Sequence, residues 1–142
     1  EIGAKEVPLP DVDAPRDVKD QGSIIVVIAT DAPLLPIQCQ RLARRATTGL
    51  AWAGGFGSNS SGDIFLAFST QNRTSAKAES AAMTMLGLDA CTPLFQAAAE
   101  ATEEAIWNAL VAAESMTGFQ GRTAHAIPHE LLVAAVDRYK RR

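Results

Sequence analysis

Apolar and polar positions divide this chain of 142 residues into stretches of different rhythm. Residues 23–30, SIIVVIAT, are rich in β-branched side chains without polar alternation, the pattern of a short strand buried on both faces. Residues 31–36 read as a turn into a helix that starts near Pro36, because proline is tolerated in a first turn. In that helix Ile37, Leu42, Ala43, Ala46 and Leu50 recur at helical spacing, with Gln38, Arg41, Arg44 and Arg45 on the wet side. It stops at Gly54-Gly55, and a second strand is predicted over 63–70. Residues 71–92 are polar and then mixed, a long connection with room for a short insert. A helix over 93–115 sets Leu94, Ala98, Ala101, Ala105, Ile106, Leu110 and Ala112 on one face and Glu100, Glu103 and Glu104 outside it. A last helix over 128–140 ends in a basic turn that suits the negative end of its dipole. The order strand, helix, strand, helix, helix is that of a mixed α/β fold.

Residues 1–22 break this rhythm. They hold Pro8, Pro10, Pro15 and six acidic residues with no periodic apolar face, and read as an exposed linker or tail. They also lack the basic start and apolar centre of a secretory signal, which leaves the compartment, cytoplasmic or periplasmic, open. With 47% hydrophobic and 20% charged residues, the chain has the composition of a globular domain. A net charge of −3 argues against a nucleic-acid-binding surface, which needs a basic stripe to displace counterions. The apolar runs fall well short of the ~20 residues a helix needs to cross a bilayer, so no membrane contact is expected. Cys39 and Cys91 are too few for a disulfide framework and form no CxxC pair. They read as small apolar core residues, and no metal or cofactor is expected.

Three features bear on chemistry. The first is residues 54–62, GGFGSNSSG, with four glycines and three serines. It follows a helix and precedes a strand, the reverse of a phosphate-cradling loop, and it has no GK[ST]. It reads as a connection, although Ser58, Ser60, Ser61 and Asp63 gather polar groups at a strand mouth, where sites collect. The second is His125 and His129, which lie four apart with Pro128 between them and no HExxH pattern. A surface or capping role fits them better than catalysis, so there is no Ser-His-Asp constellation. The third is the junction Gly22-Ser23. An ordinary strand start explains it on composition alone. Alternatively, the bond before Ser23 is cut and Ser23 becomes an amino terminus. An α-amino group with a pKa of about 7.7–8.0 is a usable base near neutral pH, on the same residue as a nucleophilic hydroxyl. Gly22 would then let the backbone strain while that hydroxyl attacks the preceding carbonyl.

The segments GSIIVVIATDAPLLPIQCQRLARRATTGLAW, GSNSSGDIFLAFSTQNR and EATEEAIWNALVAAESMTG, with the later HAIPH, resemble the L-aminopeptidase D-amidase/esterase family, which includes the β-aminopeptidases. Its members are precursors that cut themselves into a larger α and a smaller β polypeptide, the latter beginning with a nucleophilic serine. The resemblance therefore implies self-cleavage between Gly22 and Ser23, with residues 1–22 as the tail of the α polypeptide and residues 23–142 as the β polypeptide. It implies further site residues at Ser61 and Asp63, the latter shorter than the glutamate some members carry. The implied fold is a four-layer α/β/β/α sandwich like that of amino-terminal-nucleophile hydrolases but with different connectivity, of which residues 23–142 form half. The implied activity is release of amino-terminal residues from small peptides, amides or esters through an acyl-enzyme on Ser23. The oxyanion hole and amine pocket come mostly from the α polypeptide, and the αβ units assemble as a tetramer. Two alternatives stand beside this: an acyltransferase of the ornithine acetyltransferase type, which has threonine as its nucleophile, and an uncleaved, non-catalytic relative.

Overall fold

The computed structural model describes residues 22–121 and 123–139. Of the predicted tail, only Gly22 is among them. Two parallel strands, β1 (Ile25–Thr30) and β2 (Ile64–Ser69), pair in the register Ile25 to Ile64 through Thr30 to Ser69. The crossover between them carries two helices, α1 (Pro36–Ala43) and α2 (Ala46–Trp52), as a parallel connection requires. Then come α3 (Cys91–Ala112), a hairpin of two-residue strands β3 (Met116–Thr117) and β4 (Thr123–Ala124), and α4 (His129–Tyr139). The described residues fall into two units, 22–104 and 105–139. The α/β class expected from the sequence is the one observed.

In the first unit Leu34, Cys39, Leu42 and Ala98 form the buried centre, with Ile28, Ala32, Ala67, Leu86, Leu94 and Phe95 packed against it. Cys39 and Cys91 are buried and free, as expected of small core residues. The helix read as continuous from Pro36 is broken at Arg44-Arg45, where the Arg45 N–H turns back to the Leu42 carbonyl at 2.9 Å. Arg41 and Arg45, expected on the wet side, instead place their guanidinium carbons 5.1 and 4.4 Å from the centre of the Phe95 ring. The ring's negative face attracts both cations and ties the helix junction to α3. On α3 the buried positions include Ala98, Ala99 and Thr102, whereas Ala101 and Ala105 of the expected face are exposed.

Strand burial also differs from expectation. Inner residues Val26, Ile28, Phe65 and Ala67 are half-buried, but Ile25, Val27, Ile64 and Leu66 on the outer face are each more than half exposed among the described residues. Continuous apolar sequence is what a two-sided strand needs; only one side is covered here.

Residues 71–90 form no helix or strand, yet their polar groups are placed. Asn72 Nδ2 donates to the carbonyls of Leu34 (3.1 Å) and Thr84 (2.8 Å), and its Oδ1 accepts from the Thr84 N–H. Buried Gln38 donates to the Leu86 carbonyl at 2.7 Å and accepts from the Leu35 N–H at 3.0 Å. Two amide side chains thus do for this connection what a ladder does for a strand.

Helices α2 and α3 approach closely at Gly49. A Cβ there would fall 2.8 Å from Thr102 Cβ and 3.0 Å from the Glu103 nitrogen of α3. We expect Gly49→Val to destabilise the protein by about 1–3 kcal/mol, since α2 and α3 would have to part. A lowered midpoint of chemical denaturation is the readout, and an unchanged midpoint would refute this packing.

In the second unit, Gln120 (φ 58°) and Gly121 (φ 73°) take left-handed conformations in the turn between β3 and β4. His129 Nε2 lies 2.9 Å from the Val111 carbonyl, the structural role its position at a helix start suggested; His125 is exposed.

Candidate active site

The two strands run parallel, so they begin at the same end, and each is preceded by polar residues. Pairing Ile25 with Ile64 sets Ser23 and Ile24 beside Gly62 and Asp63, 39 residues away. The Ile64 N–H continues the ladder to the Ile24 carbonyl at 2.9 Å. The register thereby fixes the site.

Five groups meet there. Ser23 Oγ accepts a hydrogen bond from the Gly62 N–H at 2.9 Å. Asp63 Oδ1 accepts from the Ile24 N–H at 3.1 Å and from the Ser61 hydroxyl at 2.6 Å, a short charge-assisted contact. The Ser61 N–H closes a turn onto the Ser58 carbonyl at 2.9 Å, which holds the serine two residues before the aspartate. Ser23 is exposed, while Ser61 and Asp63 are half-buried. The aspartate is thus oriented by donors while the serine hydroxyl stays accessible.

A cavity of about 260 Å³ opens on these residues, and Gly22, Ser23, Ser61 and Asp63 all line it. The four site residues that the family resemblance implies therefore share one pocket. The arrangement pairs an accessible hydroxyl, whose oxygen is steered by a backbone N–H, with a carboxylate that can accept a proton or steady a cation. Among the described residues no three His, Cys, Asp or Glu side chains come together as a metal site would need.

The sequence did not disclose the backbone donors at Ile24 and Gly62, because main-chain groups leave no mark in composition. It also did not disclose the apolar walls, Leu50 and Phe56. Gly57 was visible only as one glycine among four; its left-handed φ of 67° carries the loop past Asp63, and a Cβ there would lie 3.9 Å from Oδ2.

The chain is also similar to known proteins, in sequence and in three dimensions. The chain is 50% identical over 125 residues to the β-peptidyl aminopeptidase BapA of Sphingosinicella microcystinivorans, covering 84% of this chain and 31% of that protein. In three dimensions it matches the L-aminopeptidase D-Ala-esterase/amidase of Ochrobactrum anthropi, a serine aminopeptidase described as a variant of the Ntn hydrolase fold. That match has a TM-score of 0.78 and 43% identity, and covers 89% of this chain and 37% of the other. A β-aminopeptidase of Burkholderia sp. matches with a TM-score of 0.74 and 46% identity over 89% of this chain and 38% of its own. The chain thus spans about a third of the length of these relatives. Residues 2–124 match the sequence profile of peptidase family S58, and the chain belongs to that family.

Proposed function

We propose that this chain carries the nucleophile of a self-processed serine aminopeptidase or amidase acting on small peptides, amides or esters with a free amino end. The observation that carries the reading is the shared pocket, in which Ser23 Oγ is held by the Gly62 N–H beside the Ser61–Asp63 pair. Membership of a peptidase family and similarity to serine and β-peptidyl aminopeptidases support it.

In processing, Ser23 Oγ attacks the Gly22 carbonyl carbon, the Gly22–Ser23 amide breaks, and its nitrogen takes up a proton. Water then cleaves the resulting ester, which releases the Gly22 carboxylate and restores the Ser23 hydroxyl beside the α-amino group freed in the shift. In turnover that amine accepts the hydroxyl proton as Oγ attacks the substrate carbonyl, and the proton passes to the departing amine. An acyl-enzyme remains, and water hydrolyses it. Ser61 and Asp63 orient these groups and help relay protons.

The remaining parts of the proposal concern the rest of the protein. Residues 1–22 are the end of an α polypeptide and residues 23–142 the β polypeptide. The outer sheet face bearing Ile25, Val27, Ile64 and Leu66 packs against a second sheet, giving the four-layer sandwich. The αβ units assemble as a tetramer. Intact mass under denaturing conditions, with amino-terminal sequencing of each species, tests the processing step. A fragment beginning Ser-Ile-Ile-Val-Val is expected; a chain still continuous across Gly22-Ser23 after prolonged incubation would overturn self-processing.

A further inference from the structure

The steps above use the polar side of the pocket and leave its walls without a task. Those walls are Ile24, Leu50 and Phe56, set among the glycines of residues 54–57. Phe56 is 81% exposed, a large ring held in water at the rim of the cavity that contains Ser23. Its backbone is seated rather than loose. The Gly55 N–H donates to the Leu50 carbonyl at 2.9 Å, and a Cβ on Gly55 would fall 2.6 Å from Leu50 Cγ. Gly54 (φ 100°) and Gly57 (φ 67°) supply the left-handed turns on either side of the ring.

We propose that Leu50 and Phe56 receive the side chain of the substrate's amino-terminal residue and select for a bulky apolar one. The inference rests on Ser23 being the nucleophile. An acyl group on Ser23 Oγ must project its side chain into the space around that oxygen, and this space is walled by apolar groups. Among the described residues no lysine or arginine lines it, and its one carboxylate, Asp63, disfavours an acidic side chain. Contact with an apolar side chain removes the Phe56 ring from water, a gain that a methyl group cannot match.

The test compares the complete protein with its Phe56→Ala and Phe56→Leu variants. The probes are leucyl- and alanyl-p-nitroanilide, and the β-homoleucyl and β-homoalanyl pair. Each pair shares a backbone and differs in the side chain. For the pair hydrolysed, the bulky-to-small ratio of kcat/KM is expected to fall about tenfold in Phe56→Ala, a size typical of a lost apolar contact. Phe56→Leu should keep most of the ratio, and in Phe56→Ala the bulky substrate should lose more than the small one. An unchanged ratio, or an equal fall for both substrates, would overturn the proposal; the equal fall would mean that Phe56 packs against the rest of the protein. Ser23→Ala run alongside separates the two levels, because hydrolysis persisting in that variant would overturn the nucleophile and not merely its specificity.

Discussion

Ser23→Ala is expected to abolish hydrolysis of amino-terminal amides and to stop release of the fragment beginning at position 23, with the fold intact. The fold is spared because Ser23 is exposed and the hydroxyl's bond to Gly62 is worth only about 1 kcal/mol. The chemistry is not spared. Deleting a serine nucleophile costs on the order of 10⁶-fold in kcat where it has been measured in serine proteases. An unprocessed variant would be inactive for a second reason, its blocked amine. Co-expressing the preceding part with a separate fragment that starts at position 23 and carries the Ser23→Ala substitution removes that block. Steady-state hydrolysis of an aminoacyl p-nitroanilide, beside circular dichroism of the same sample, is the measurement. Normal turnover in either form would take Ser23 out of the reaction.

Asp63→Asn should lower turnover by about 10²-fold or more while leaving stability nearly unchanged. The substitution is informative because Asp63 Oδ1 serves two structural bonds, from the Ile24 N–H and the Ser61 hydroxyl, and an amide oxygen can accept both. Asparagine therefore keeps the geometry and removes the charge. Asp63→Ala removes both, and should add a loss of stability of about 1–3 kcal/mol from the donors left unpaired. A kcat for Asp63→Asn equal to that of the parent would exclude the carboxylate from the chemistry and leave it a strand-mouth brace.

Much of this site was legible because its residues sit where local patterns end. Ser23 precedes a run of β-branched residues and Asp63 opens the second strand, so both could be assigned to strand mouths without knowing how the strands pair. Residues 54–62 were visible as a connection, but their function was not. A glycine run shows where the backbone can turn, not which neighbour its amides or its one aromatic ring will face. The helix break at Arg44-Arg45 was hidden for a different reason. Apolar spacing continues through it, and Arg41 and Arg45 leave the solvent side only because Phe95, far along the chain, offers them a ring.

By itself the sequence determined the identity and order of the main elements, the buried character of Cys39 and Cys91, and the family resemblance. Local spacing, β-branching and short motifs act over a few residues and need no partner. Tertiary structure alone decided three things. The parallel register brought Ser23 to Gly62 and Ile24 to Asp63 across 39 residues. Gly49 let α2 and α3 approach to backbone contact. Among the described residues, α1 came to pack against β1 and β2 while one face of the strands stayed open. Each depends on pairing between segments distant in the chain, where hydrogen-bond ladders and side-chain volume choose among placements that the local pattern leaves equal.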